Sequence, residues 1–308
     1  METDWSLIAV RSALYVDLGL LFGLPLFCIY AARGDAGQLR ETVLPGLTAA
    51  LLAVAGLVVS AFGFAVMAAS MMGVPLAGVD RETLEILAFE TPQGWAFLVR
   101  QAALLIVLGA STGMARHPRV ALAGIAVGAG VALATLAWGG HAGATEGGMG
   151  YFHLGSDLLH LWAAGLWLGA IVALGILVVR ARAVPALRLA QRALADFSTA
   201  GTLAVGMLIV TGVINSVILI GFDSLPLLLS DLYGWLLLLK LLLFGAMLAI
   251  AAANRFWLTP VLDAAIADGE PGGAARALKI SLAVETVAAL AILGLVGWLG
   301  TLSPPAAV

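Results

Sequence analysis

Eight separate stretches of this chain are each apolar over about the 20 residues that a helix needs to cross a bilayer. They run 5–32, 43–70, 94–114, 119–139, 157–179, 197–220, 233–257 and 280–302. In lipid the backbone must satisfy its own polar groups, so such stretches become helices. The pattern predicts an all-α fold: a polytopic membrane helix bundle of eight transmembrane helices, forming a single domain over 1–308. Composition points the same way. Only 11% of the 308 residues are charged, against roughly a quarter in soluble proteins. A soluble catalytic domain or a nucleic-acid-binding module has no room here. Cys28 is the one cysteine. It excludes a disulfide framework or a CxxC site and reads as a small buried hydrophobe. The acidic start, Met1 to Trp5, and the long first apolar run predict no cleavable signal peptide.

The basic residues set the expected orientation. Placing alternate loops in the cytoplasm puts Arg33, Arg40, Arg116, Arg119, Arg180, Arg182, Arg188, Arg192, Arg255, Arg276 and Lys279 inside, and leaves Arg81 alone in an outer loop. That bias follows the positive-inside rule and places both termini outside, in the periplasm for a bacterial protein. The outer loops then carry Asp80, Glu82, Glu85, Glu90, Glu146, Asp223 and Asp231, an acidic face that attracts cations. Segment 80–91 reads as a short helix lying on that face. No internal repeat is evident, which speaks against an inverted-repeat transporter.

Three of the four histidines fall within twenty residues: His141, His153 and His160, with Asp157 among them. Imidazoles and carboxylates are unfavourable near a bilayer, so their clustering points to function. The spacing predicts a metal site at the outer mouth with His141, His153 and His160 as ligands. Asp157 would be a further ligand or an acceptor that fixes an imidazole tautomer. On a continuous helix, His153 and His160 would stand about 10 Å apart along the axis, too far to share one ion. The flanking Gly150 and Gly155 therefore favour a loop that folds His153 back, with a second site as the other possibility. Ser156 or Asp157 is expected to cap the fifth span. The plainer reading makes these interfacial histidines hydrogen-bonded to neighbours. His117, in a short inner turn, reads as a solvated loop residue.

Imidazole alone does not select among copper, zinc, iron and nickel. Met67, Met71, Met72 and Met149 lie near the same end and are possible soft ligands for Cu(I), although methionine also fills gaps in apolar packing. Arg11, Asp17, Arg100, Asn215, Lys240 and Glu285 lie within spans and should face the bundle interior as a polar network. The cations among them could pair with Asp17 and Asp157 or bind an anionic group.

The order of these landmarks resembles the CopD/PcoD family of copper resistance membrane proteins over nearly the whole chain. The matching residues are Arg11; Trp95 with Arg100; Gly140, His141 and Ala142; Asp157 and His160, then Trp167 and Gly169; Phe197 and Ser198; Gly212 and Asn215; Tyr233, Gly234 and Lys240; Asn254 and Arg255; and Glu285. The resemblance implies a multi-pass protein of the bacterial inner membrane that binds copper, as Cu(I) or Cu(II), and moves it across the membrane in copper homeostasis or resistance. It implies a periplasmic CopC-type copper-binding partner and no enzymatic activity. His153 matches a family position less clearly than His141, Asp157 and His160. The sequence carries no ATPase motif and no CPC motif in a span. Two other functions compete. Paired histidines can hold a haem, giving a membrane electron-transfer protein, and the chain could instead be a docking scaffold for a periplasmic copper carrier that transports nothing.

Overall fold

The computed structural model describes residues 4–31, 36–145, 147–221 and 225–304. Arg33, Glu146 and Asp223 lie outside the described residues. The chain forms helices α1 (Trp5–Tyr30), α2 (Ala36–Val43), α3 (Gly46–Met72), α4 (Arg81–Glu90), α5 (Pro92–Thr112), α6 (Pro118–Ala134), α7 (Gly147–Arg180), α8 (Val184–Ile220), α9 (Leu232–Ala253), α10 (Thr259–Ala267) and α11 (Gly272–Leu299). No strand occurs among the described residues. Eight helical segments are long and apolar enough to cross a membrane, with α9 continuing through a π turn into α10 as one span. The expected short surface helix is α4, capped by Asp80, whose carboxylate accepts from the Thr83 N–H at 2.7 Å. Asp4, Thr91 and Asp231 cap α1, α5 and α9 in the same way.

The expected boundaries move where charged residues prolong a helix beyond the apolar stretch. α8 begins at Val184, with Pro185 in its first turn, where a missing N–H is tolerated. α11 begins at Gly272, and α2 is a helix that the apolar pattern did not announce. The largest change is in α7, which starts at Gly147 in a left-handed conformation (φ 69°), ten residues before the expected start. Ser156 and Asp157 are therefore interior helix residues and not caps, and the predicted folded-back loop at His153 does not form.

α1 and α7 occupy the centre of the bundle. α1 packs on α3, α6, α7 and α11, while α7 also meets α8 and α11. Their crossing rests on two matching motifs, Gly19 and Gly23 on α1 facing Gly165 and Gly169 on α7. An added Cβ at Gly23 would collide with the Gly165 carbonyl oxygen and the Gly169 Cα, and one at Gly169 would meet the Gly23 backbone. Only glycine permits such backbone proximity, the usual basis of tight helix association in lipid. Around the crossing, Leu18, Leu21, Leu24, Phe27, Leu168 and Ile171 join the main buried cluster.

Trp5 and Trp298 meet at 5.3 Å between ring centroids, so the chain enters and leaves at one end of the bundle. Arginines close the other end on backbone carbonyls. Arg40 donates to Met114 O, Arg180 to Thr42 O at 2.9 Å, and Arg255 to Ser198 O at 3.3 Å. Met114 and Thr42 lie at helix ends, where carbonyl dipoles converge and favour a cation.

Replacing Gly169 by Val should destabilise the bundle by about 1–3 kcal/mol or more through overpacking. Gly175→Val serves as the control, since an added Cβ there meets nothing within 4 Å. Thermal unfolding of the purified variants in detergent compares the two, and equal melting temperatures would remove the crossing from its central role.

Candidate metal site at the histidine end

The α6–α7 connection folds as two short 3₁₀ turns, Thr135–Gly139 and His141–Ala144, which hold His141 beside the start of α1 and the end of α11. Arg11 of α1 donates from Nη1 to the Gly139 carbonyl at 2.6 Å. His141 Nε2 lies 3.3 Å from the Leu299 carbonyl, and its ring meets Tyr233 edge-on at 6.4 Å. A carbonyl only accepts, so Nε2 carries the proton and the Nδ1 lone pair is left for a ligand.

His153 is 1% exposed, on the second turn of α7. Its Nδ1 lies 2.8 Å from Thr145 Oγ1, and that hydroxyl donates to the His141 carbonyl at 3.2 Å. The hydroxyl proton is committed, so His153 donates from Nδ1 and keeps a lone pair on Nε2. The same device recurs deeper in the bundle. His160 Nδ1 lies 2.8 Å from Thr211 Oγ1, which donates to the Met207 carbonyl at 2.6 Å. His160 thus also presents Nε2. In all three rings one nitrogen is anchored as a donor and the other is basic, the arrangement that orients imidazole toward a metal.

Asp157 lies between these levels. Asn215 Nδ2 donates to its Oδ1 at 3.4 Å, and its Oδ2 stands 4.0 Å from the position of a Cβ built on Gly140. Asn215 Oδ1 is buried with no hydrogen-bond partner, an orphaned acceptor that a cation would satisfy. The structure therefore brings His141, His153 and Asp157 around the 139–145 turn. It sets His160 further along α7, against α8. His153 and His160 share one continuous helix, about 10 Å apart along its axis. Among the described residues no three His, Cys, Asp or Glu side chains stand close enough to hold one ion.

The soft ligands and buried charges distribute differently from the simplest expectation. Met71, Met72 and Met149 are exposed. Among the described residues no ion pair joins Arg11, Arg100 or Lys240 to Asp17 or Asp157. Arg100 instead donates to Ser60 Oγ at 2.7 Å and Thr135 Oγ1 at 3.2 Å. Hydroxyls lie within its reach, and they satisfy a guanidinium without burying a second charge. Lys240 and His160 line a cavity of about 440 Å³ between α7, α8, α9 and α11, with Tyr15, Ser216 and Met247 also on its wall. Thr145, Thr211 and Met247 escaped the sequence reading. A hydroxyl within an apolar span, four residues before Asn215, was the available signal for Thr211.

Comparisons with known proteins agree with this landmark set. Residues 1–151 match the family model described as Copper resistance protein D-like, N-terminal domain, and residues 191–299 match Copper resistance protein D. The chain is 42% identical to Copper resistance protein D of Pseudomonas syringae pv. tomato, over 96% of each chain. It belongs to the copper resistance protein D family. Copper transport protein CutJ of Bacillus subtilis (strain 168) is 31% identical over 80% of this chain and 45% of the relative. Inner membrane protein YebZ of Escherichia coli (strain K12) is 35% identical over 41% of this chain and 42% of its own length. No solved structure matches the chain. Family membership ties the chain to copper, and with eight apolar helices it fits a multi-pass inner-membrane protein.

Burial pushes the His141 imidazole below its ordinary value of 6.5, the Leu299 carbonyl opposes that shift, and the Arg11 guanidinium adds to it. The unfolded chain then takes the proton first, so the stability due to neutral His141 is present above about pH 6.5 and is lost as pH falls below it. Melting temperature should decline on acidification from that value. The decline should be shallower in His141→Gln, and identical slopes in both proteins would refute the assignment.

Proposed function

We propose that this protein captures copper at the periplasmic mouth of the bundle and passes it inward for transport across the inner membrane. The reading rests on one observation above others: three anchored imidazoles, two at one end of the bundle and one deeper along α7, each with a free basic nitrogen, in a chain of a copper resistance family. Positive-inside orientation turns that end toward the periplasm. The acidic helix α4 would draw cations toward it, and it would also suit a periplasmic copper carrier of the CopC type.

The two levels of histidine suggest two stations. His141 and His153, bridged by the Thr145 hydroxyl, form the outer one. Asp157 and His160, backed by Asn215 and Thr211, form the inner one, which adjoins the cavity carrying Lys240 and Met247. Imidazole serves either oxidation state of copper, and a thioether on the cavity wall favours Cu(I). The cargo is bound through imidazole nitrogen, carboxylate oxygen and thioether sulfur, so no hydrolytic or redox step is needed from the chain.

Purified protein should bind copper in a competition titration against a chelator of known affinity. His160→Ala should abolish inner-station binding. Thr211→Val, which frees the ring without removing it, should weaken binding by about 10–100-fold. Unchanged affinity in both variants would defeat the reading. Copper accumulation in cells with and without the gene separates transport from a docking role.

A further inference from the structure

The same four helices enclose a second cavity, of about 460 Å³, toward the arginine-closed end. Its wall carries Glu285 of α11 and Asn254, the first residue of the π turn Asn254–Leu258 that joins α9 to α10. Glu285 is 2% exposed and Asn254 4%. Asn254 Nδ2 donates to Glu285 Oε1 at 2.7 Å, while Asn254 Oδ1 is buried with no partner.

The π turn has a cause in sequence. Pro260 follows Thr259 within an otherwise continuous helix, and its ring and missing N–H cannot be accommodated in a regular α-helical ladder. The ladder widens instead, with Thr259 donating through both N–H and Oγ1 to the Asn254 carbonyl. Such turns recur at functional sites, and this one projects Asn254 onto Glu285.

No cation of the protein neutralises that carboxylate among the described residues. Arg255 is the one other charged residue on the cavity wall, since the portions of α7, α8 and α11 that line it offer no other ionisable group. Its guanidinium is engaged elsewhere. It donates to Thr202 Oγ1 at 2.6 Å and to Ser198 O, and lies 5.4 Å from the centre of the Phe256 ring. A bare carboxylate at this depth in a bilayer is strongly unfavourable. A cation taken from solution removes that penalty.

We propose that Glu285 and Asn254 form a reversible proton-binding site serving this cavity. The amide fits both states. Nδ2 donates to the carboxylate, and after a flip of the amide Oδ1 accepts from the O–H of the protonated acid. The proton comes from water at the arginine-closed end and returns to it, with no other bond made or broken. A single carboxylate with one amide oxygen is a sparse set for a metal ion, which demands more ligands. The site is independent of the copper reading, because it involves none of the histidine-end residues.

Infrared difference spectroscopy of the full chain in nanodiscs, in metal-free buffer stepped through pH, tests the proposal. The carbonyl stretch of a buried carboxylic acid should grow on acidification and lose a component in Glu285→Gln, which keeps the acceptor for Asn254. Subtracting the variant isolates that component from Asp17 and Asp157. In Asn254→Leu the component should persist at higher wavenumber, because the acid has lost its hydrogen-bond partner. An undiminished band in folded Glu285→Gln, or an unmoved one in Asn254→Leu, overturns the site. Should Glu285→Gln fail to fold, the Asn254→Leu spectrum decides alone. Replacing sodium by choline should leave the titration unchanged, and a sodium-dependent midpoint would make this a sodium site and defeat the proton assignment.

Discussion

Backbone contact between α1 and α7 is the constraint on which the rest of the molecule depends. Lipid tails are as apolar as leucine, so side-chain burial gives two helices in a membrane little reason to associate. Close approach does, through dispersion summed over many atom pairs. Gly19 and Gly23 against Gly165 and Gly169 bring the two central helices together. Trp162 then reaches the Gly130 carbonyl of α6 at 2.9 Å, and α11 fits against both. The face of α7 that bears Asp157 and His160 is thereby fixed relative to α8.

Hydroxyls settle the chemistry of the histidine end. A threonine in a helix normally returns its proton to a carbonyl a turn earlier. Thr211 does so, and Thr145 does the equivalent within its turn. Each oxygen is then purely an acceptor toward its imidazole, which selects one tautomer of His153 and of His160. Each of the two rings thus keeps one unprotonated nitrogen and is held by a neutral partner. The central charges are handled with the same economy. Arg11 uses the carbonyl of Gly139 and Arg100 uses Ser60 and Thr135, where ion pairs would have been the simpler expectation.

The sequence made the spans legible because lipid imposes one dominant rule: an apolar run of sufficient length becomes a helix. It made His141, Asp157 and His160 conspicuous because ionisable groups are rare in such runs. It hid the extension of α7, since Gly147 to Ser156 is rich in glycine and polar residues and looks like a loop. Helical continuity there depends on burial of His153 and on the anchoring of its ring by Thr145, which are tertiary facts. The glycine motifs were present as spacing, but their significance depended on which two helices would meet. The π turn was likewise latent in Pro260, yet nothing local to it foretold that Asn254 would reach Glu285.

Trp167 and Ile171 belong to the walls of both cavities, and Trp167 sits edge-on to Phe244 at 5.8 Å. Along this seam one indole and one branched aliphatic side chain face both hollows. Removal of the Trp167 indole would therefore widen both hollows at once.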